Sequence, residues 1–209
     1  MTIAPAALSW VNYVDAANIV ISASEEAGDG AASNLADPIV GRRWRTTSLT
    51  GWAQVDLLAN KSIEVMAVSH PRDTSFPTSG NIRWQLDADG GTPGAGAVYD
   101  QTEAIHAADG YGYHVHLPSS AQTARYVRFT FSSLPALSFV DVGRLWIGEA
   151  WQPTYNMAFN YEDGWDDLSR ITGSNRSGVE FADERPRRRV FSFALEALSD
   201  AERDTLREM

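Results

Sequence analysis

The sequence contains no cysteine, which excludes disulfides, thiolate zinc sites and cysteine nucleophiles and leaves the redox compartment open. Lys61 is the only lysine among 17 basic residues, so positive charge is carried by arginine, which favours bidentate pairing. No apolar run is long enough to cross a bilayer, and the start MTIAPAALSW lacks the features of a secretory signal. The net charge of −10 disfavours nucleic acid and anionic membrane surfaces.

Enzymatic motifs are also missing from the sequence. There is no GxSxG elbow, no P-loop, no HExxH and no GxGxxG before a helix, and the glycine-rich GTPGAG lacks the lysine of a phosphate loop. We therefore expect no catalytic activity and no cofactor.

Acidic residues cluster in three candidate loops, none of which has the periodic oxygen ligands of an EF-hand. Solvated loop charge is the default interpretation, and a structural calcium is the alternative. The clusters are Glu25, Glu26 and Asp29; Asp87 and Asp89; and Glu162, Asp163, Asp166 and Asp167.

Residues 1–150 consist of short runs rich in β-branched and aromatic residues, separated by turns that contain glycine and proline. In ARYVRFTFS (124–132), Val127, Phe129 and Phe131 alternate with polar residues, as in a strand with one buried face. The pattern predicts a mainly β protein whose first 150 residues form an antiparallel jelly-roll or β-sandwich domain.

Residues 151–209 have a different composition and are interpreted as a C-terminal assembly segment. An irregular aromatic and acidic stretch is followed by a strand-like run at 187–198, in which Val190, Phe191, Phe193 and Leu195 are candidate core residues. Ser199 and Glu202 form a capping-box pattern, which predicts a terminal helix. The second region is thus a short β-rich segment that ends in a helix.

The first region resembles a discoidin-like, galactose-binding-like jelly roll. The resemblance is carried by SNLADPIVGRRWRT, WAQVDL, IEVMAVSH, RYVRFTF and VDVGRLWIG. It implies that the tryptophan after the first long loop belongs to the framework of the fold, and that the loops at the ends of the jelly roll are the binding loops.

The second region resembles a segment found in tail proteins of tailed bacteriophages, through GRLWIGEAWQPTYNMAF, DDLSRITGSNRSG and ERPRRRVFSFALEALSDAE. This resemblance implies a structural component of a bacteriophage tail or tail tip, assembled in the host cytoplasm and located in the virion. Its partners would be other tail proteins, further copies in a homo-oligomeric ring, and a host-surface glycan. The rival hypothesis is a carbohydrate-binding module without a virion role.

Two hypotheses apply to the arginine–tryptophan cluster VGRRWRTTSLTGWAQVD (40–56). In the first, a ligand stacks or pairs with exposed side chains. In the second, Trp44 and Trp52 pack at the rim of the jelly roll, and the arginines pair with acids such as Asp37 and Asp56. The candidate ligand-binding residues are Arg42, Arg45, Trp52, Tyr111 and Tyr113.

His114 and His116 alternate along a predicted strand, so both rings face the same side. We expect Tyr111 and Tyr113 to share that side as an aromatic strip. Two histidines at this spacing can share a metal ion, but no third ligand lies nearby in the sequence, so no metal site is predicted.

The assembly hypothesis assigns an interface to the second region. Aromatic residues would dock on neighbouring subunits, and the arginines of RPRRR (185–189) would fix the register by pairing with acidic residues at 162–167, within one chain or between copies. The candidate interface residues are Trp151, Tyr155, Phe159, Tyr161, Trp165, Arg187, Arg188 and Arg189.

Overall fold

By its own contacts, the chain divides into a unit formed by Ser9–Ala150 and a unit formed by Met1–Leu8 with Trp151–Met209. We call them the jelly-roll unit and the C-terminal unit. The computed structural model describes residues 6–39, 41–69, 79–89, 96–105, 113–134, 139–157, 161–166, 170–173, 180–183 and 188–209.

Fourteen strands and one α-helix are described. In chain order they are β1 (Val20–Ala23), β2 (Trp44–Arg45), β3 (Trp52–Ile63), β4 (Val65–Ser69), β5 (Asn81–Asp87), β6 (Tyr99–Ala104), β7 (Tyr113–His116), β8 (Gln122–Ser132), β9 (Asp141–Val142), β10 (Arg144–Gly148), β11 (Glu162–Asp166), β12 (Arg170–Gly173), β13 (Glu180–Asp183), β14 (Arg188–Ser192) and α1 (Asp200–Glu208). Short 3-10 helices span Tyr13–Asp15 and Ala32–Ala36. Within the described ranges, no helix has both the length and the apolarity needed to cross a membrane.

The jelly-roll unit is a sandwich of two antiparallel sheets. The larger sheet has the order β1-β3-β8-β5-β6 and the smaller one the order β10-β4-β7, while β2 pairs with β9. The prediction of a mainly β fold with an antiparallel jelly-roll sandwich is confirmed.

The core lies between these two sheets. Val127, Phe129 and Phe131 on β8 are fully buried, as the alternation predicts. Trp44 is also fully buried, and its ring meets that of Phe129 edge-on at 5.7 Å between centroids. Burial of such large apolar side chains is the main stabilising contribution to a β-sandwich.

The register of the larger sheet places the first residue of β3 and the last residues of β8 at one end of the sandwich. Trp52 lies opposite Thr130, and Asn81 lies opposite Ser132. The long connection between β1 and β3, residues 24–51, leaves from this end. We call it the loop end of the jelly-roll unit.

The C-terminal unit contains two-stranded ribbons and the helix. β11 pairs with β14 and β12 with β13, both antiparallel. The predicted strand at 187–198 is observed as Arg188–Ser192. The predicted helix is confirmed with its full capping box, because the Ser199 hydroxyl accepts from the Glu202 amide and the Glu202 carboxylate accepts from the Ser199 amide.

The prediction that Val190, Phe191 and Phe193 belong to a core is wrong. Their exposed fractions are 39%, 45% and 36%, and Leu195 is only half-buried. A two-stranded ribbon leaves a face open to solvent unless another layer covers it, so alternation alone does not bury these side chains.

Candidate ligand-binding site

A polar pocket is formed by the connection between β1 and β3. It has a volume of about 730 Å³. Its polar side chains are those of three arginines, an asparagine and an aspartate. The lining residues are Ala27, Gly28, Asp29, Gly30, Asn34, Gly41, Arg42, Arg43 and Arg45. We call this cavity the arginine pocket.

The buried tryptophan of the loop anchors the arginine pocket to the core. The indole nitrogen of Trp44 donates to the carbonyl of Glu25 at 2.9 Å. The side-chain Nδ2 of Asn34 donates to the backbone carbonyls of Asp29 at 3.1 Å and Arg43 at 2.9 Å, so it links two sides of the loop. The pocket is therefore shaped by fixed hydrogen bonds.

Asp141 holds two of the pocket arginines. Its carboxylate is 1% exposed and accepts from Arg45 Nε at 2.7 Å and Arg45 Nη2 at 2.9 Å, while Arg43 Nη1 lies 3.3 Å away. The hydrogen bond to Asp141 raises the pKa of Arg45. Since one carboxylate serves two guanidinium groups, this wall of the pocket keeps an excess of positive charge.

The third arginine of the pocket, Arg42, is exposed to solvent. The Arg42 side chain is 64% exposed, and its Nη1 lies 2.8 Å from Asp37 Oδ2. The pKa of Asp37 is lowered by a hydrogen bond from the Ile39 amide and by Arg42. An exposed pair of this kind contributes little to stability, so Arg42 is free to exchange its partner for a ligand.

Gly30 lets two backbone segments approach at the wall of the pocket. A Cβ added at Gly30 would lie 2.6 Å from Arg45 Cβ and 2.7 Å from the Arg45 backbone nitrogen. The Arg45 amide donates to the Gly30 carbonyl at 3.1 Å. Only glycine permits this approach.

The hypothesis that both tryptophans pack in the jelly roll is right for Trp44, which is buried in the core, and wrong for Trp52. Trp52 is half-buried and alternates with the core residues Ala53 and Val55, so it lies on the outer face of the larger sheet. The Arg128 guanidinium lies 4.1 Å from the centre of its ring.

The predicted ion pairs are partly correct. Asp37 pairs with Arg42 as expected, but Asp56 pairs with Arg125 on β8, at 2.7 Å, and with none of the loop arginines. The register explains the difference, because Asp56 lies on β3 beside Tyr126 of β8. Asp141 was not predicted as a partner.

The prediction that Tyr113 shares a strand face with His114 and His116 is wrong. Tyr113 is 39% exposed, whereas His114 and His116 are buried at 1% and 6% exposed, because residues at odd and even positions of β7 point to opposite faces. Tyr111 lies outside the described residues.

The two histidines point inward and meet side chains of β6. His114 Nε2 and His116 Nδ1 each lie 2.7 Å from Glu103 Oε1, and His116 Nε2 lies 2.7 Å from the Tyr99 hydroxyl. Burial and the charge of Glu103 raise the pKa of Tyr99. In the part of the chain that the structure describes, no group of three or more His, Asp or Glu has the arrangement of a metal site.

The first acidic cluster is occupied by hydrogen bonds within the protein. Glu25 accepts from the Ser48 amide at 3.0 Å, from the Ser48 hydroxyl at 2.6 Å and from the Thr47 hydroxyl. Burial raises the pKa of Glu25, but these hydrogen bonds lower it by more. Glu26 accepts from the Ala32 amide at 2.8 Å. The structural calcium stays an untested alternative.

The candidate interface residues are dispersed over the C-terminal unit. Trp151 forms a backbone bridge with Leu8 and is half-buried, while Tyr155 and Tyr161 are 64% and 55% exposed. Trp165 lies opposite Arg189, and Asp166 opposite Arg188, in the β11–β14 ribbon. The two stretches are therefore neighbouring strands within one chain, and the charge pairing between them stays a prediction. Phe159 and Arg187 lie outside the described residues.

Arg42 and Arg45 were predicted from the sequence as ligand-binding residues, but the residues that position them were not. Asp29, Asn34 and Asp141 were missed as pocket components. The polar residues of SNLADP and VDVG carried a signal only through the resemblance to a jelly roll. Asn34 bonds within its own loop, to residues 5 and 9 positions away, whereas Asp141 pairs with Arg45 across a separation of 96.

Comparison with known proteins connects this fold to sugar-binding modules. No protein-family model matches the chain, and no curated protein matches it. Solved structures do match the fold. One is the family 32 carbohydrate-binding module of Clostridium perfringens NanJ, in complex with galactose, with 16% identity, 68% of this chain and 98% of that chain covered, and a TM-score of 0.53.

Two further structures give the same result. A mutant of a chitosan-binding module from Paenibacillus sp. IK-5 has 21% identity, covers 66% of this chain and 98% of that chain, and has a TM-score of 0.52. A fucose-binding module from Streptococcus pneumoniae has 11% identity and a TM-score of 0.54, and the match covers 67% of this chain and 98% of that chain. Because the identities are low, these likenesses show the fold alone, a jelly roll of the kind found in these carbohydrate-binding modules.

Proposed function

We propose that the jelly-roll unit is a non-catalytic carbohydrate-binding module whose ligand occupies the arginine pocket. The observation that carries this proposal is a polar cavity, in the loop-end connection of a jelly roll, whose volume falls in the range of about 300–1,000 Å³ that is typical of small-molecule sites. The fold of known sugar-binding modules supports the class of ligand.

The chemistry of the pocket suits a neutral or acidic sugar. Arg42, Arg43 and Arg45 offer directed N–H donors, and the carboxylate of Asp29 offers acceptors to hydroxyl groups. Arg43 and Arg45 are fixed by Asp141, so they lose little side-chain entropy when a sugar binds. Arg42 at the rim completes the contact.

The test is a glycan array followed by calorimetry with the full chain and two variants. Arg42→Ala should raise Kd for the bound glycan by about tenfold, since it removes one charge-assisted hydrogen bond. Arg83→Ala is the matched control, because it also breaks an exposed arginine–aspartate pair, with Asp100, but outside the pocket. Binding should be retained in this control. Absence of binding to every glycan, or equal binding by both variants, contradicts the proposal.

A second candidate function is a structural component of a bacteriophage tail or tail tip, with this chain assembled as a homo-oligomeric ring in the virion. It is favoured by exposed aromatic side chains in the C-terminal unit. Tyr161 and Phe191 have ring centres 5.3 Å apart, and Phe191 and Phe193 have centres 5.6 Å apart. Contiguous exposed aromatics are typical of surfaces that bind other subunits.

The two functions are compatible, since a tail protein can carry a module that binds a host-surface glycan. Light scattering of the purified chain should give an oligomer that Phe191→Ser with Phe193→Ser reduces to a monomer. Mass spectrometry should find the protein in purified virions. A chain that stays monomeric at high concentration and is absent from virions leaves only the carbohydrate-binding function.

A further inference from the structure

Arg128 differs from every other described arginine of the jelly-roll unit. The others each pair with an aspartate: Arg42 with Asp37, Arg43 and Arg45 with Asp141, Arg83 with Asp100, Arg125 with Asp56 and Arg144 with Asp15. Arg128 instead donates from Nε at 3.1 Å and from Nη2 at 2.8 Å to the neutral Gln54 Oε1. No carboxylate among the described residues forms an ion pair with it.

This charge is also partly withdrawn from water. Desolvation by the surrounding side chains lowers the pKa of Arg128, whereas a paired carboxylate raises the pKa of Arg45, Arg83 and Arg125. A half-buried cation without a counter-charge is unfavourable, and an anion from outside the chain would compensate it.

The guanidinium is held in one position. Gln54 lies directly opposite Arg128 in the β3–β8 register and is 9% exposed, so its carbonyl oxygen is a fixed acceptor. The Trp52 ring lies under the guanidinium at 4.1 Å. Arg128 Nη1 makes no hydrogen bond within the described residues, which leaves a donor for a ligand carboxylate beside a half-buried indole.

We propose that this outer-face site, formed by Arg128, Trp52 and Gln54, binds a sugar that carries a carboxylate. The carboxylate accepts from Arg128, and the C–H face of the sugar ring packs against the part of the Trp52 ring that the guanidinium leaves uncovered. The proposal rests on the proposed function for the class of ligand, but the site is separate from the arginine pocket.

The position of the site favours a sugar over an acidic peptide. Arg128 lies on β8, the central strand of the order β1-β3-β8-β5-β6. Extended peptides usually pair with an edge strand or enter a groove, and the centre of a flat sheet face offers neither. Because the chain has a net charge of −10, this local cation must act at short range, and salt should weaken binding.

The experiment is calorimetry with the full chain and four probes: a galacturonate tetrasaccharide, 3′-sialyllactose, a neutral galactose tetrasaccharide, and a peptide of alternating Asp and Glu. We expect the acidic sugars to bind more tightly than the neutral one. Arg128→Gln should raise Kd for the acidic sugars by about tenfold, the loss expected for one charge-assisted interaction. Binding of one acidic sugar or of both supports the proposal and identifies the source of the carboxylate.

Arg125→Gln is the matched control, because it removes the same charge from the same strand and breaks the pair with Asp56. It should change Kd for the acidic sugars less than about twofold, because Arg125 contacts Asp56 and Tyr126 and none of the three residues of the outer-face site. If Arg128→Gln fails to fold, Arg128→Lys keeps the charge but cannot bond Gln54 through two N–H groups while a third faces the ligand, so it should also weaken binding.

Three results would overturn the proposal: no binding of either acidic sugar, equal binding by the wild type and the Arg128 variants, or Arg128-dependent binding of the peptide alone. Arg42→Ala separates the two sites. If it abolishes all sugar binding, only the arginine pocket is functional. If acidic sugars bind through Arg128 while the binding of no probe is changed by Arg42→Ala, the proposal for the outer-face site is supported and the proposal for the arginine pocket is contradicted.

Discussion

The main groups of aromatic residues in the two units have opposite environments, although Tyr113 of the jelly-roll unit is also exposed. In the jelly-roll unit, Trp44, Trp84, Phe129 and Phe131 are fully buried. In the C-terminal unit, Tyr155, Tyr161, Phe191 and Phe193 are all at least 36% exposed. The strands of both units alternate apolar and other residues. What differs is the number of layers, because two packed sheets enclose a core and an uncovered ribbon does not.

The difference also concerns what an aromatic side chain contributes. A buried ring stabilises the unit that contains it, since its whole surface is removed from water. An exposed ring contributes little to folding and keeps its apolar surface for a partner. The same residue type therefore predicts stability in one unit and association in the other.

The largest expected effect is on the jelly-roll core. Phe129→Ala should lower the free energy of unfolding by about 3–5 kcal/mol, because it removes a fully buried ring and leaves a cavity. Phe191→Ala should change it by less than about 0.5 kcal/mol, as at most exposed sites. Urea denaturation followed by tryptophan fluorescence measures both. Equal losses in the two variants would show that Phe191 is covered in solution.

A smaller effect is expected at the carboxylate of the arginine pocket. Asp141→Asn should cost about 1–3 kcal/mol, because Arg43 and Arg45 lose hydrogen bonds to a buried charged acceptor. Asp204→Asn is the matched change in the C-terminal helix, where the pair with Arg207 is largely exposed, and it should cost less than about 1 kcal/mol. Denaturant midpoints of the two variants test the ranking, and an unchanged midpoint for Asp141→Asn would refute it.

The smallest effect concerns the start of helix α1. Hydrogen bonds from the Thr154 and Ser199 amides and the Ser199 hydroxyl lower the pKa of Glu202 to about 2, from an ordinary value of 4.5. Because the pKa is lowered in the folded state, the stabilisation is present above the ordinary value and is lost as the pH falls through about 2. An NMR titration should show this inflection, and Ser199→Ala should move it upward. An inflection near 4.5 in the wild type would contradict the observed cap.

Local sequence patterns predicted the elements well. The alternation of Phe129 and Phe131 and the Ser199 capping box depend on residues within one strand or turn, whereas the burial of Trp44 against Phe129 was implied only by the resemblance to a jelly roll. Trp52 was predictable by the same rule, since it is out of phase with Ala53 and Val55 and so belongs on the other face of β3.

Contacts between distant segments were not predictable from one sequence. Glu103 reaches His114 and His116 from the facing sheet, and Asp141 reaches Arg45 from a strand far along the chain. The exposure of Phe191 depends on whether another layer exists, which alternation does not encode. The arginines of the site were found because of their residue type, whereas their partners required the fold.

The arginine pocket has a wall at Gly30 that tolerates no substitution and a rim at Gly41 that does. Any side chain at this position would collide with Arg45, whereas a Cβ at Gly41 meets nothing within 4 Å. Among descendants of this protein, changes in the ligand proposed for this pocket should therefore arise by substitution at Gly41 and Arg42, on the rim. A residue other than glycine at position 30 would mark a lineage that has rebuilt the pocket or abandoned it.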